Sequence, residues 1–270
     1  MSWLQKILSR KSASALDVAG MIVAPERLAA LRPSDQFLVS YPRSGNTWVR
    51  HLLRDLIVLG HPERPVPEAL WMLIPDLHVH AMDHPAREEF GMPTRLFKSH
   101  NLRAIAGRRF AYIFRVPTDA LISNYHFYLR EKMAPELTRD GPDDFCLTML
   151  PSWKEHVEMA LSAKRAAPEN VTLMSYEMLL ADGVRAVQSI ARFYGLPTVP
   201  EIVAAAVQGN AFSQLRKEEE KNPQNPNEFF FRKGRAGTGR EELSAKAFAE
   251  IEEAGREVYE TARASAESLW

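Results

Sequence analysis

A strand, a tight turn and a helix follow one another near the start of this chain, and no other segment constrains its fold as strongly. Phe37-Leu-Val-Ser-Tyr41 is apolar and of strand length, and Pro42 and Gly45 are typical of a turn. Apolar residues then recur at helical spacing, at Val49, Leu52, Leu53, Leu56 and Ile57. Such a connection directs backbone N–H groups and the positive end of a helix at an anion in the turn. Because Arg43 adds a positive charge there, we predict that the turn binds a phosphate or sulfate group.

Three more apolar segments are predicted to be short strands, at 95–99, 110–114 and 171–175. Helical patterns lie between and after them, at 118–130, 152–167, 184–194, 201–208, 212–220 and 244–265. Strands that alternate with helices favour a parallel sheet covered on both faces, whose ligands bind beyond the carboxyl ends of the strands. The expected fold class is therefore α/β, with a P-loop-like three-layer α/β/α arrangement around a central, mostly parallel sheet.

Glycine and proline residues are expected to separate the helices. The glycines concerned are at 183, 195 and 209, and the prolines are at 151, 168, 197 and 200. Two long segments, 62–93 and 221–239, are predicted to be excursions from the regular fold. Segments of this length inside a domain are often functional.

The length of 270 residues predicts one globular domain, since 46% hydrophobic residues can bury a substantial core. We place this domain at 35–270, after an N-terminal helical extension at 1–34. The 34 basic residues balance the 34 acidic ones, so no global field attracts nucleic acid or an anionic membrane. No nucleic-acid partner is expected, and anion binding must depend on local clusters.

The first residues form an amphipathic helical pattern. Its apolar face carries Trp3, Leu4, Ile7 and Leu8. This helix either docks on a surface, with weak membrane contact, or serves in targeting; the alternative, which we favour, is that it packs on the domain or frays. No apolar segment is long enough to cross a bilayer. A cytoplasmic protein is expected, because the single Cys146 excludes a disulfide within the chain and agrees with a reducing compartment.

The turn departs from the nucleotide triphosphatase pattern, since no Gly-x-x-x-x-Gly-Lys-Ser/Thr occurs and its cation precedes the Ser-Gly pair. Tyr-Pro-Arg-Ser-Gly-Asn-Thr-Trp at 41–48 instead resembles the Tyr-Pro-Lys-Ser-Gly-Thr-Thr-Trp motif of the cytosolic-type sulfotransferases, which use the sulfate donor 3′-phosphoadenosine 5′-phosphosulfate (PAPS). The resemblance implies that the donor is bound by Arg43, Ser44, Gly45, Asn46, Thr47 and Trp48. In the family, the tryptophan of this motif stacks on adenine.

Lys98-Ser-His100, after the second predicted strand, resembles the family's Lys-Thr-His. The resemblance implies that His100 is the catalytic base and that Lys98 assists transfer. An imidazole with an ordinary pKa of about 6.5 suits the removal of a proton from a hydroxyl or amine. Three other histidines lie close together, but the spacing of His78, His80 and His84 fits no zinc signature, and we interpret them as loop or acceptor-pocket residues.

Arg115 follows the third predicted strand, in a segment similar to the family's Arg-x-Pro-x-Asp-x-x-x-Ser-x-Tyr-x-Phe. The resemblance implies that Arg115 and Ser123 hold the 3′-phosphate of the donor. The planar guanidinium fork matches phosphate oxygens bidentately. A simple ion pair between Arg115 and Asp119 is the alternative interpretation.

Three further matches concern the same nucleotide. Phe-Phe-Arg-Lys-Gly-Arg-Ala-Gly at 230–237 resembles a family loop that closes over the 3′-phosphate, which implies donor contacts by Arg232, Lys233 and Gly234. The family continues with Asp-Trp-Lys, whereas Thr-Gly-Arg follows here at 238–240. Tyr176 and Phe212 match family residues near the nucleotide, while Asn-Ala at 210–211 lacks the hydroxyls of the family's Thr-Ser-Phe.

Together the motifs imply in-line transfer of a sulfuryl group from PAPS to a hydroxyl or amine, which leaves adenosine 3′,5′-bisphosphate (PAP). His100 would deprotonate the acceptor, Lys98 and Arg43 would stabilise the departing phosphate, and no metal ion would be needed. A P-loop phosphotransferase that uses ATP and magnesium and a non-catalytic protein that binds PAP or PAPS are the alternatives.

The sequence leaves the acceptor and the oligomeric state open. A small molecule, a lipid or a carbohydrate would fit the motifs equally well. Four residues either line an acceptor pocket or pack on the core as a helix: Leu70, Trp71, Met72 and Leu73. The dimer-forming segment of many relatives is not recognisable in 244–270.

Overall fold

A four-stranded parallel sheet lies at the centre of the computed structural model, which describes residues 22–92, 94–221 and 234–267. Its strands run in the order β2-β1-β3-β4 and are β1 (Gln36–Ser40), β2 (Leu96–Ser99), β3 (Arg109–Phe114) and β4 (Val171–Ser175). Each neighbouring pair in this sheet is parallel. The four strands were therefore predicted correctly, each to within one residue at either end.

Both faces of the sheet are covered, which explains why the central residues of β1 and β3 form continuous apolar runs rather than an alternating pattern. From Phe110 to Phe114 no side chain is more than 2% exposed. The parallel register places the carboxyl ends of all four strands at one edge of the sheet. The first residues beyond those ends are Tyr41, His100, Arg115 and Tyr176.

Helices flank this sheet and complete the predicted three-layer α/β/α, P-loop-like fold. The helices described are α1 (Pro25–Ala29), α2 (Asn46–Leu59), α3 (Ala86–Glu89), α4 (Pro117–Arg130), α5 (Pro135–Thr138), α6 (Gly141–Ala166), α7 (Tyr176–Ala181), α8 (Gly183–Tyr194), α9 (Pro200–Gly209), α10 (Phe212–Lys221), α11 (Thr238–Glu242) and α12 (Ala245–Glu267). Short 3₁₀ helices lie at Leu70–Met72 and Arg103–Ile105.

Helix α6 differs from its prediction, since it begins at Gly141 rather than near residue 152 and contains Pro151 in its interior. A proline there removes a backbone hydrogen bond and costs about 3 kcal/mol. The buried face of α6 nevertheless continues across this point, because Met149, Leu150 and Trp153 are all buried. The expectation that Pro151 separates two helices is therefore wrong, since tertiary packing outweighs the local signal.

The segment before β2 packs on the core and extends the sheet by a single bridge. Leu73 is fully buried, so this part of the segment contributes to the core. Lys98 N–H donates to the Pro75 carbonyl oxygen at 2.8 Å, and Leu77 N–H donates to the Lys98 carbonyl oxygen at 2.8 Å. These two hydrogen bonds place Asp76 directly beside Lys98 in a parallel bridge.

Some predictions fall on residues outside those that the structure describes. These are the N-terminal amphipathic helix and the basic positions Arg232 and Lys233. Within the described ranges, no helix has both the length and the apolar character that crossing a membrane requires.

Tyr194, at the end of α8, joins two neighbouring strands from inside the core. Its hydroxyl donates to the Phe37 carbonyl oxygen at 2.6 Å and accepts from the Ala111 N–H at 3.0 Å. We expect Tyr194→Phe to lower the free energy of unfolding by about 1–3 kcal/mol, because it leaves a buried donor and a buried acceptor unsatisfied. Urea unfolding followed by circular dichroism measures this loss. A loss below about 0.5 kcal/mol would show that this bridge is not important for stability.

Candidate active site

The turn between β1 and α2 adopts a backbone conformation suited to anion binding. Arg43 and Gly45 both have positive φ, at 65° and 101°. A Cβ atom on Gly45 would lie 2.7 Å from the Tyr176 ring, so glycine is required there for both conformation and space. No described side chain caps the N-terminus of α2, whose first N–H groups have no acceptor within the helix. These N–H groups are the donors that an anion in the turn would use.

The polar side chains of the turn have two different environments: Asn46 is hydrogen-bonded to β1, and Ser44 is left without a partner among the described residues. Asn46 is buried and its Nδ2 donates to the Leu38 carbonyl oxygen and to Ser40 Oγ, both at 3.3 Å, which anchors the turn to β1. Ser44 is fully buried, and its Oγ has no hydrogen-bond partner among the described residues. A buried hydroxyl in this state is a natural ligand for a phosphate oxygen.

Arg43 reaches across the turn to helix α4. Its Nε donates to Ser123 Oγ at 3.3 Å, and its guanidinium lies 5.3 Å from the centre of the Phe127 ring. The structure therefore brings together Arg43, predicted to act on the transferred group, and Ser123, predicted to hold the opposite phosphate.

Lys98, at the end of β2, is held by a carboxylate that the sequence analysis missed. Lys98 Nζ lies 2.7 Å from Asp76 Oδ2, and the His78 N–H donates to Asp76 Oδ1 at 3.0 Å. Burial alone would raise the pKa of Asp76, but the adjacent ammonium group and the hydrogen bonds lower it to about 2. Burial lowers the pKa of Lys98, while Asp76 opposes this shift. Asp76 is recognisable as the partner of Lys98 only from the pairing of 75–77 with β2.

His100 is oriented by the strand next to it. Its Nδ1 lies 2.7 Å from the Ser40 carbonyl oxygen, which can only accept, so Nδ1 carries the proton and Nε2 keeps a free lone pair. Burial, and then the charge of Lys98, hold the pKa of His100 well below 6.5. The imidazole is therefore neutral at neutral pH and able to take a proton. The His100 N–H donates to His78 Nε2 at 3.3 Å, which places His78 in the same site.

The other histidines of the 78–84 cluster lie apart from this contact. The His80 ring stacks on Trp71 at 5.6 Å, and the His84 ring meets Trp71 edge-on at 5.4 Å. No group of three or more potential metal ligands occurs among the described residues.

Arg115 forms the ion pair with Asp119 that the sequence offered as the alternative to phosphate binding. It also contacts Arg235 and Tyr176, which belong to segments predicted to bind the nucleotide. Its Nη2 lies 3.3 Å from Asp119 Oδ2 and donates to the Arg235 carbonyl oxygen at 3.0 Å. The guanidinium lies 4.4 Å from the centre of the Tyr176 ring. The Nε atom is buried and has no partner in the described part of the chain. Arg115 thus has a fixed position and a remaining donor.

Asp119 hydrogen-bonds Thr238 and Gly239, the residues that stand where the family has Asp-Trp. Its carboxylate is 1% exposed and accepts from the Gly237 N–H at 2.8 Å, the Thr238 hydroxyl at 3.1 Å and the Gly239 N–H at 2.7 Å. These bonds cap α11 and attach it to α4. The end of the 230–237 loop is therefore anchored despite the departure from the family pattern, and Gly234 within it has a positive φ of 62°.

Trp48 and Tyr176 form the aromatic part of the site. Their rings lie 5.6 Å apart at 64°. Trp48 Nε1 donates to the Asn210 carbonyl oxygen at 2.9 Å, and Asn210 Nδ2 donates to Asp55 Oδ2 at 2.6 Å. Asn210 therefore orients Trp48 through its backbone carbonyl group, a contact that needs no side-chain hydroxyl. Phe212 is the first residue of α10.

A family model described as "Sulfotransferase domain" matches residues 33–262, which is most of the chain. The chain belongs to the sulfotransferase family. The membership inferred from the motifs at 41–48 and 98–100 is thereby confirmed, and an ATP-dependent phosphotransferase is disfavoured.

Individual relatives agree with this assignment. The chain is 28% identical over 228 residues to sulfotransferase 6B1 of Danio rerio. The alignment covers 79% of the present chain and 74% of the Danio rerio protein. The chain is also 28% identical over 202 residues to sulfotransferase 1A1 of Bos taurus, which covers 68% and 67% of the two chains. The solved structure of mouse sulfotransferase SULT7A1 complexed with PAP has the same fold, with a TM-score of 0.59 and 21% identity over 90% of this chain and 95% of that one.

Because α11 packs closely on α4, a single methyl group added at Gly239 should lower the stability of the fold. A Cβ atom on Gly239 would lie 2.8–2.9 Å from the backbone of Thr118, so Gly239→Ala must push α11 away from α4. We expect it to reduce stability by about 1–3 kcal/mol. Gly209→Ala is the matched control, since its Cβ would meet only Asp55 Oδ2 at 3.9 Å. Thermal unfolding of both variants measures the difference, and equal melting temperatures would contradict the close approach.

Proposed function

We propose that this sulfotransferase moves the sulfuryl group of PAPS to a hydroxyl or amine of a small-molecule, lipid or carbohydrate acceptor, with His100 as the base. The observation that supports it best is the hydrogen bond from His100 Nδ1 to the Ser40 carbonyl oxygen, which leaves the lone pair on Nε2 of an imidazole that also lies in the field of Lys98. Mouse SULT7A1 was solved with PAP, and a retinol dehydratase of similar fold was solved with retinol and PAP.

Two buried atoms support the fit of the donor. Ser44 Oγ lies in the turn and Arg115 Nε lies beyond β3, and neither has a partner among the residues described. These are the two places where the motifs locate the donor's two phosphate-bearing ends. A donor with anionic groups at both ends would satisfy both atoms, which ATP-like chemistry at the turn alone would not explain.

PAPS supplies an activated sulfuryl group to the reaction. His100 Nε2 takes the proton of the acceptor as the acceptor oxygen or nitrogen bonds to sulfur and the sulfur–oxygen bond to the donor phosphate breaks. Lys98, Arg43 and the first N–H groups of α2 stabilise the negative charge that moves onto the departing phosphate of PAP. Fixed cations thus provide the neutralisation for which many phosphoryl-transfer enzymes use a metal ion.

Arg43 replaces the lysine that relatives use in this turn. A guanidinium group stays protonated and presents a rigid fork, whereas an ammonium group is a movable point charge. Arg43 therefore stabilises charge and does not act as a proton donor. Its contacts with Ser123 and Phe127 hold it in one place before the donor binds.

Two broader expectations are part of the same proposal. We place the catalytic domain at 35–270, which the family match to 33–262 supports. A cytoplasmic location is proposed because the single cysteine, Cys146, is buried and free, which suits a reducing compartment.

The proposal is tested by incubating the protein with PAPS and a panel of alcohols, phenols, amines and sugars, with product detection by mass spectrometry. We expect His100→Ala to lower kcat by at least about 10²-fold while the Kd for PAP changes little, because the imidazole acts on the acceptor. Arg43→Ala should lower kcat by about 10²–10³-fold, and Arg43→Lys should restore part of it. Turnover of His100→Ala at the wild-type rate would refute His100 as the base.

The pH dependence of kcat/KM follows from the state of His100. The base must be neutral, so activity is lost as pH falls through its pKa, which is held well below 6.5. We expect the acidic limb to lie well below pH 6.5. Lys98→Gln removes a charge that lowers this pKa, so its residual activity should decline at a higher pH. An acidic limb at or above pH 6.5 in the wild-type enzyme would contradict the assignment.

A further inference from the structure

A buried chain of hydrogen bonds ends on the backbone of His100. The Tyr112 hydroxyl lies 2.7 Å from His156 Nδ1, and His156 Nε2 lies 2.7 Å from the His100 carbonyl oxygen. Tyr112 is fully buried on β3, and His156 is 8% exposed on α6. Neither residue belongs to the motifs by which the family was recognised.

The direction of each hydrogen bond in this chain is fixed. The His100 carbonyl oxygen can only accept, so His156 Nε2 carries the proton and Nδ1 accepts from the Tyr112 hydroxyl. Burial lowers the pKa of His156 to about 4, which keeps its imidazole neutral in this arrangement. The backbone of Tyr41 also hydrogen-bonds the Tyr112 hydroxyl. Every polar atom of the His156 ring is therefore engaged.

This chain links the two loops on which transfer depends. Tyr41 is the first residue after β1 and begins the anion-binding turn, and His100 is the first residue after β2. His100 follows the last strand residue, so the ladder does not fix its carbonyl group, and His156 supplies the missing partner. The imidazole of His100 is held at Nδ1 by Ser40 and its peptide is held by His156, which gives two fixed points.

We propose that His156 is a positioning residue for sulfuryl transfer, which holds the peptide of His100, and with it the imidazole, in the orientation that proton removal requires. This inference rests on the proposed role of His100 as the base. The two ring nitrogens of His156 are both taken up by Tyr112 and the His100 carbonyl oxygen, so His156 would act through His100. A displacement of about 1 Å can cost a catalytic group about 10²-fold in rate, so the contact of His156 with His100 is worth testing.

The groups around each imidazole determine what a pH experiment will report. His100 faces Lys98 from β2, and Asp76 and His78 from the segment that precedes it. His156 faces Tyr112, and its ring centre lies 5.8 Å from that of Tyr41, with the two rings nearly perpendicular. A displaced His100 would be better hydrated, so its pKa should move upward toward 6.5.

Three variants separate positioning from packing. His156→Phe keeps a ring in the core but cannot donate to the His100 carbonyl oxygen. His156→Gln keeps a donor at a position close to that of Nε2. Tyr112→Phe removes the hydroxyl that donates to His156 Nδ1, so one of the two contacts that fix the ring facing the His100 carbonyl oxygen is lost. His61→Phe is a control with the same change outside the site, where His61 lies against the Phe90 ring.

Activity and histidine spectroscopy give independent measurements. The first is kcat with PAPS and the best acceptor from the mass-spectrometric panel, together with the Kd for PAP. The second is ¹⁵N nuclear magnetic resonance of the histidine rings, which reports the tautomer and pKa of His100 without any turnover. Inactivity of the wild-type enzyme with every acceptor would count against the proposed function, and the spectra would still test the position of His100.

We expect His156→Phe to lower kcat by at least tenfold with less than a twofold change in the Kd for PAP. His100 should lose its single Nδ1–H tautomer and its pKa should rise, while His156→Gln should recover most of both properties. Should His156→Phe fail to fold, Tyr112→Phe and His156→Gln decide the question. A folded His156→Phe or Tyr112→Phe variant with wild-type kcat and unchanged His100 resonances would overturn the inference, as would an equal loss in His61→Phe.

Discussion

The parallel pairing of β1 with β2 on one side and β3 on the other is the constraint on which the rest of the site depends. Because all three strands end at the same edge, the anion-binding turn, His100 and Arg115 begin within one region of the surface. Any antiparallel arrangement would separate them. The buried apolar residues of these strands therefore support catalysis as well as stability, since they fix the register from which each side chain projects.

Carboxylates hold the cations of this edge before any ligand arrives. Asp76 pairs with Lys98, and Asp119 pairs with Arg115 while it also caps α11. Burial of an unpaired cation carries a large desolvation free energy. Each carboxylate offsets part of this cost, so a positive group can be held in a partly desolvated site. Arg115 keeps one buried donor, Nε, that has no partner among the described residues, and both cations hold fixed positions without any ligand.

Two departures of this chain from the family pattern lie at positions that the structure holds by hydrogen bonds. Thr238 and Gly239 replace Asp-Trp, yet Asp119 seats them through two N–H groups and a hydroxyl. Asn210 replaces a hydroxyl residue, yet its carbonyl oxygen orients Trp48. Sequence comparison registers such positions as losses because it compares side chains. At these positions the structure uses backbone groups and one hydroxyl, which a comparison of side chains does not reveal.

The sequence by itself determined the four strands, the turn at Arg43 and Gly45, and the order of the donor and base motifs, since these are local patterns of apolar residues and turn formers. The sequence wrongly predicted a helix boundary at Pro151, and it gave no indication that Asp76 contacts Lys98 or that His156 contacts His100. Those residues acquire their roles from partners far along the chain: the bridge between 75–77 and β2, and the contact of α6 with the end of that strand. Only tertiary structure decides such roles, because a hydrogen bond between distant segments leaves no periodic pattern in either one.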